Sequence, residues 1–193
     1  IIIGGGLAGS EAAWQAAKYG VKVILYEMRP EKGTPVHKTS SLAELVCSNS
    51  FGSISPEKPA GLLKKELQLL GSFVLKSAEK NKLPAGSSLS VDREAFSYDI
   101  TKLIENNPNI RVIRSEVEEI PDVPCIIATG PLTSDTLAER IQDFTGINHL
   151  YFYDAIAPLV LKDGIDFSIA FYASRYGVGE KPDGDYINCP LTR

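Results

Sequence analysis

A glycine-rich stretch directly follows the three isoleucines that open the chain, with the spacing G-x-G-x-x-G at Gly4, Gly6 and Gly9. The first glycine permits a tight turn, the second lets a backbone approach a pyrophosphate, and the third allows a helix to pack closely on a strand. This spacing therefore predicts an α/β, Rossmann-like domain, a parallel sheet with flanking helices. The residues expected to bind a dinucleotide are Gly4, Gly5, Gly6, Leu7, Ala8 and Gly9.

The residues that follow support the same unit. Residues 10–19 are rich in alanine and precede a glycine, which predicts a helix, and residues 21–26 predict a second strand. That strand ends at Glu27, where an acid binds a ribose hydroxyl and disfavours a 2′-phosphate. The motif thus favours FAD or NAD over NADP. A stripe of small residues is expected to pack the helix on the sheet: Ala8, Ala12 and Ala16.

A second signal separates FAD from NAD. Residues 123–128 form an apolar segment that runs into Thr129 and Gly130. This ending resembles the second glycine-bearing signature of flavoproteins with two dinucleotide-binding domains, in which the chain re-enters the first nucleotide domain. Together with the first motif it favours FAD, with Thr129 and Gly130 as further cofactor-binding residues.

The rest of the chain supplies ordinary elements. We expect a short helix over residues 42–46 and a helix capped by Asp92 that runs to about residue 105. Strands are expected over residues 110–113 and 115–120, and a helix over residues 135–144 that ends at Gly146. Residues 61–75 predict an amphipathic helix with an inward leucine face at Leu62, Leu63, Leu67 and Leu70, and an outward face at Lys64, Lys65 and Glu66.

The pattern changes near residue 151. Residues 151–153, 157–161, 169–173 and 186–188 read as short strands between turn residues. We therefore divide the chain into an FAD-binding domain over residues 1–150 and the start of a second, β-rich substrate domain over residues 151–193. Because the chain opens inside a strand without Met, we expect a fragment of a longer protein.

Composition limits the classes of partner. The 193 residues carry 20 Lys and Arg against 24 Asp and Glu, a net charge of −4, with an isoelectric point of about 5.3. Any contact with RNA must therefore use a local basic patch. No apolar run is long enough to span a membrane and no signal peptide opens the chain, so we expect a cytoplasmic protein.

Three distant cysteines fit neither a disulfide framework nor the paired spacing of a zinc site, and no metal is expected. Cys125 lies in an apolar segment and should be a buried, inert thiol. Cys47 and Cys189 lie beside polar residues near the ends of predicted elements. For these two, a structural role is favoured from the residues alone, and a nucleophile is the alternative. His37 and His149 fit ordinary surface or core positions.

Several strings together resemble the bacterial folate- and FAD-dependent tRNA uracil-C5 methyltransferases. The resemblance covers essentially the whole chain, and the strings around Cys47 and Cys189 are the most specific. The strings are 3–14 (IGGGLAGSEAAW), 26–30 (YEMRP), 43–50 (AELVCSNS), 91–93 (VDR), 127–134 (IATGPLTS), 151–155 (YFYDA) and 188–190 (NCP).

This resemblance implies methylation of a T-loop uracil of tRNA, with the carbon taken from 5,10-methylenetetrahydrofolate. FAD would carry the carbon to the base, and NADH or NADPH would supply the electrons. Cys189 would add to C6 of the uracil, and Cys47 would help to remove the C5 proton. Arg29, within the YEMRP string, would belong to the cofactor-binding residues.

Three alternatives remain. The nearest is the related flavoprotein that modifies the tRNA wobble uridine with a folate-derived carbon. The second is a non-catalytic protein that binds FAD and tRNA, and the third is a thiol-disulfide flavoenzyme, disfavoured by the distance between the cysteines in sequence.

The chain departs from the family at Phe51 and Gly52, where a leucine and a basic residue are expected. It also lacks the family's C-terminal half, including the segments that complete the FAD domain.

Overall fold

The computed structural model describes residues 1–147, 160–174 and 178–190. The elements in chain order are β1 (Ile2–Ile3), α1 (Leu7–Lys18), β2 (Val23–Tyr26), β3 (Ser50–Ser53), α2 (Pro59–Leu69), α3 (Phe73–Lys80), β4 (Lys82–Leu83), β5 (Ser88–Val91), α4 (Arg93–Glu105), β6 (Ile110–Ile113), β7 (Ile126–Ile127), α5 (Asp135–Thr145), β8 (Phe171–Ala173) and β9 (Tyr186–Asn188).

A four-stranded parallel sheet lies at the centre, in the order β6-β2-β1-β7. Ile2 of β1 pairs with Leu25 of β2 on one side and with Ile126 of β7 on the other. Because all four strands are parallel, their carboxyl ends meet at one edge, where ligands of open α/β sheets bind. The predicted α/β, Rossmann-like fold with a parallel sheet and flanking helices is confirmed.

Helix α1 begins at Leu7, inside the glycine motif, and not at residue 10. Its buried face contains Gly9, Ala13 and Ala17. Of the predicted stripe, Ala12 and Ala16 pack partly buried against the core, and Ala8 is exposed. The contact that sets this face is between Gly9 and Gly4, because a Cβ atom at Gly9 would lie 1.8 Å from the Gly4 carbonyl oxygen. The closest approach of helix and strand therefore occurs at the third glycine of the motif.

A second sheet, with the antiparallel order β3-β5-β4, lies beside the first. Helices α1, α3 and α4 contact one another, and the core between them and the two sheets includes the fully buried side chains of Leu25, Phe96 and Ile100. The Asp92 side chain accepts hydrogen bonds from the amides of Glu94 and Ala95, which confirms it as the N-cap of α4.

The segment over residues 61–75 differs most from prediction. It forms two helices, α2 and α3, and the leucine face of α2 is turned outward. Lys64 lies inward at 9% exposure, where its Nζ donates to the carbonyl oxygens of Ser53 (3.0 Å) and Ala60 (2.9 Å). The bond to Ser53 places α2 against β3 through a polar contact, and the bond to Ala60 lies within α2. The leucines expected in the core are exposed: Leu62, Leu63, Leu67 and Leu70.

Other predicted elements had mixed outcomes. Residues 42–46 form a turn and irregular backbone and no helix, because Ala43 has a φ of 51°, outside the right-handed helical region. Residues 115–120 form no strand, and the strand predicted over residues 123–128 shortens to β7. The short β7 leaves Cys125 just outside it. Cys125 is half-buried, whereas the sequence predicted a buried thiol. Helix α5 and its left-handed end at Gly146 are confirmed.

A two-stranded hairpin, β8 and β9, follows the central fold. It contacts the turn between β4 and β5, where the Asp185 carboxylate accepts from the amide of Gly86 and the Tyr186 hydroxyl donates to the Ala85 carbonyl. The strand expected over residues 151–153, most of that over 157–161, His149 and the domain boundary near residue 150 lie outside the described residues. That division into two domains stays a prediction.

Candidate functional site

A pocket of about 510 Å³ opens at the carboxyl edge of the parallel sheet. We call it the sheet-edge pocket; its wall comes from the segments that follow β1, β2, β6 and β7 and from residues 44–51. The sequence-predicted residues that line it are Gly4, Gly5, Gly6, Leu7, Ala8, Glu27, Arg29, Cys47, Thr129 and Gly130. Gly9 lies beneath it in the helix contact, and Cys189 does not line it.

The glycines of the motif have different surroundings. Gly4 has a φ of 101°, and a Cβ atom there would lie 2.7 Å from the Ala128 carbonyl oxygen, so both its conformation and its space require glycine. No atom lies within 4 Å of a Cβ placed on Gly6. Gly6 is the N-cap of α1, and no side chain caps that helix end. The first amides of α1 are therefore open to an anion at the pocket wall.

Glu27 lies at the base of the pocket with 6% exposure. One carboxylate oxygen accepts from the amide of Gly5 (3.1 Å), and the other accepts from the Arg29 amide (3.1 Å) and Nε (2.8 Å). Burial alone would raise the pKa of Glu27, but the hydrogen bonds and charge of Arg29 and the Gly5 amide outweigh it and lower the pKa below 4.5. Glu27 is thus an ionised acceptor beside the glycine motif.

Arg29 is buried beside Glu27, at 3% exposure. Besides Glu27, its guanidinium donates to Glu44 Oε2 (2.8 Å) and to the carbonyl oxygens of Thr39 (3.0 Å) and Ser41 (3.1 Å). These four bonds use four of its five N–H groups. The guanidinium contacts are therefore to protein groups, although Arg29 also lines the pocket.

Glu44 joins this buried pair from the segment that leads to Cys47. It accepts from the amides of Lys38 (2.8 Å) and Thr39 (3.1 Å) as well as from Arg29. Burial would raise the pKa of Glu44, but these bonds and the charge of Arg29 lower it. The next residue back, Ala43, donates its amide to the Gly5 carbonyl (2.8 Å). The Cys47 side of the pocket is thus bonded to the glycine motif.

Cys47 is exposed and lines the same pocket as the glycine motif. Its carbonyl oxygen accepts from Arg93 at the start of α4 (3.4 Å). Cys189 is also exposed, directly after β9, on the hairpin bonded to Ala85 and Gly86. The structure therefore brings Cys47 to the predicted cofactor residues and leaves Cys189 outside the pocket. Cys189 belongs to the short described segment 178–190.

Sequence reasoning missed the role of Glu44 and of the wall formed by Glu116. Glu116 lines the pocket and pairs with Lys32 at 2.7 Å. The Arg29–Glu44 and Lys32–Glu116 pairs each join residues that are not neighbours in sequence, so no local sequence pattern predicts them. The only available signal for Glu44 was its place within the specific string that contains Cys47.

Residues 1–147, 160–174 and 178–190 contain neither a metal-binding cluster nor a membrane-spanning helix. In this part of the chain, no three or more His, Cys, Asp or Glu side chains cluster in a way that could bind a metal ion. No helix there has the length and apolar character needed to cross a membrane.

Comparisons with solved structures match the fold. Two crystal forms of Aquifex aeolicus GidA superpose with TM-scores of 0.54 and 0.51, at 19% and 22% sequence identity. They cover 67% and 63% of this chain and 24% and 20% of theirs. At this identity the likeness concerns the fold.

Curated relatives are much more similar in sequence. Proteins named methylenetetrahydrofolate–tRNA-(uracil-5-)-methyltransferase TrmFO from Aquifex aeolicus and Natranaerobius thermophilus are each 58% identical over 193 residues, all of this chain. The chain covers 43% and 44% of their lengths, so it spans less than half of each relative. The family model described as glucose inhibited division protein A matches residues 1–193. The chain therefore belongs to the glucose inhibited division protein A family.

Proposed function

We propose that the full-length protein transfers a one-carbon unit from 5,10-methylenetetrahydrofolate to C5 of the T-loop uracil of tRNA, forming 5-methyluridine, with FAD as cofactor. The observation that carries this proposal is the sheet-edge pocket, in which Cys47 faces the same space as the glycine motif. The names of the relatives at 58% identity support the same reaction.

The residues present fit FAD. Gly6 leaves open space at the start of α1, where amides can bind a pyrophosphate, and Glu27 is an ionised acceptor suited to a ribose hydroxyl. The pocket volume of about 510 Å³ lies within the range of small-molecule and cofactor sites. We propose Gly4, Gly5, Gly6, Leu7, Ala8, Gly9, Thr129 and Gly130 as the remaining parts of this site. When bound, FAD would carry the carbon and the electrons that a nicotinamide cofactor supplies.

The two exposed cysteines would act on the uracil. The Cys189 thiolate would add to C6, forming a C–S bond and converting the C4 carbonyl into an enolate, which makes C5 nucleophilic. C5 would take up the methylene carbon as the C–N bond that held it breaks, and Cys47 would help to remove the C5 proton. Two electrons from the reduced nicotinamide would then bring the methylene to the methyl level, as the C–S bond breaks and releases Cys189. The uracil must leave its stack to reach the pocket, at a cost of a few kcal/mol. The reaction would take place in the cytoplasm.

The reaction is tested with the full-length protein, unmodified tRNA, reduced nicotinamide and methylenetetrahydrofolate. Mass spectrometry should show 5-methyluridine in the T-loop with the folate and none when S-adenosylmethionine replaces it. Modification at the wobble uridine, or binding of FAD and tRNA without any product, would contradict the proposal.

The roles of the cysteines are tested by three matched variants. Cys189→Ala should abolish methyl transfer while FAD remains bound, and Cys47→Ala should also lose turnover. Cys125→Ala, outside the pocket, should keep it. Near-normal turnover of Cys189→Ala would contradict its assignment.

A further inference from the structure

The Arg29 guanidinium lies between two parts of the sheet-edge pocket. On one side it bonds Glu27, which bonds the glycine motif at Gly5. On the other side it bonds Glu44 and the carbonyl oxygens of Thr39 and Ser41, all in the segment that leads to Cys47. We define residues 38–47 as the Cys47 segment. One buried side chain thus contacts both walls of the pocket.

The arrangement depends on the shape of arginine. A planar guanidinium can donate in several fixed directions at once, whereas a lysine ammonium is a point charge on a flexible stem. Side-chain exposures of 4% for Arg29, 7% for Glu27 and 13% for Glu44 show that all three side chains are largely shielded from water. Without Arg29, two neighbouring carboxylates would be left buried with no cation between them.

From these contacts we propose that Arg29 is a positioning residue: it holds Glu27 and the Cys47 segment in one arrangement around the pocket and does not itself bind the cofactor. This proposal rests on the proposed FAD site. Arg29, Glu27 and Glu44 act as one unit in this proposal, because the guanidinium that Glu44 holds is the same one that bonds Glu27. Loss of either partner of the Arg29–Glu44 pair should therefore change both walls together.

The test uses the full-length protein and two measurements. The first is the dissociation constant for FAD. The second is the rate at which iodoacetamide alkylates Cys47 in the absence of FAD, read by mass spectrometry of the peptide that contains it. Variants are Arg29→Gln, Arg29→Lys, Glu44→Gln and the double variant Arg29→Gln/Glu44→Gln. Arg140→Gln is the control, because its ion pairs with Glu119 and Asp143 are exposed.

Arg29→Gln and Glu44→Gln should each weaken FAD binding and raise the Cys47 alkylation rate, by about tenfold, as expected for residues in one hydrogen-bond network. The double variant should exceed the larger single effect only slightly, since both changes break the same bond. Arg29→Lys should not restore either quantity, and Arg140→Gln should change neither. If Arg29→Gln does not fold, the same two measurements on Glu44→Gln and Arg29→Lys test the proposal.

Two results would overturn the proposal. In the first, Arg29→Gln weakens FAD binding while Glu44→Gln does not and the alkylation rates stay constant, which would indicate direct contact with the cofactor. In the second, the variants lose thermal stability but both measurements are unchanged at low temperature, which would indicate a merely structural role. If the unaltered protein binds no FAD, the proposed cofactor fails, and the alkylation rates still test the positioning by Arg29.

Discussion

The carboxyl edge of the parallel sheet and helix α2 both carry regular sequence patterns, yet only the first pattern predicted the structure around it. At the sheet edge, the glycine spacing fixes a local contact, in which Gly9 lies against the carbonyl of Gly4 five residues earlier. In α2, the leucine spacing indicates a helix but not its orientation, and the face that contains Lys64 is buried instead. A motif that encodes close contacts is therefore more informative than a periodicity that needs a distant partner.

The largest expected effect is at the closest contact of the sheet edge. Gly9→Ala would place a Cβ 1.8 Å from the Gly4 carbonyl oxygen and should cost about 3 kcal/mol, because backbone must shift. Urea unfolding measures the loss. Gly33→Ala is the control, since no atom lies within 4 Å there, and it should stay within about 0.5 kcal/mol. Equal effects at both positions would show that the helix contact does not depend on Gly9.

A smaller effect is expected at the buried lysine of α2. Lys64→Met should reduce the free energy of unfolding by about 1.5 kcal/mol, because the carbonyl oxygens of Ser53 and Ala60 lose a charged donor. Its exposed neighbour gives the matched control: Lys65→Met should change it by less than about 0.5 kcal/mol. Equal stability of the two variants would support the predicted inward leucine face over the observed one.

Acid should weaken the sheet edge through its buried carboxylates. The pKa values of Glu27 and Glu44 lie below their ordinary 4.5 because Arg29 and backbone amides outweigh the effect of burial. Their stabilisation is therefore present above about pH 4.5 and is lost as the pH falls through the lowered values. Urea unfolding from pH 7 to pH 3 should show a shallower decline for Glu44→Gln than for the unaltered protein. Identical pH profiles would contradict a folded-state interaction of Glu44.

The smallest effect is expected on the outward face of α2. Leu63→Ala removes a side chain that is 55% exposed and should change the free energy of unfolding of the chain by less than about 0.5 kcal/mol. Leu25→Ala, in the core of the parallel sheet, should cost about 3 kcal/mol in the same assay. A loss at Leu63 comparable to that at Leu25 would mean that the leucine face packs inward after all.

Local rules predicted much of the fold. The Asp92 cap and the Gly146 helix end depend on residues adjacent in sequence, and the pairing of β1 with β2 joins strands within the first 26 residues. The site was predictable to the same extent, since the glycines and Glu27 follow from spacing. The pairing of Arg29 with Glu44 was not, because it joins residues 15 apart through a loop without periodicity. The buried position of Lys64 likewise depends on Ser53, in a different element.

The central claim is that one pocket contains both the FAD site and Cys47, and protection of that thiol by FAD tests it most directly. In the full-length protein, saturating FAD should slow alkylation of Cys47 by iodoacetamide while leaving Cys189 unchanged. Gly6→Val, which fills the open space at the start of α1, should abolish this protection at the same FAD concentration. Bound FAD that leaves the Cys47 rate unaltered would contradict the account.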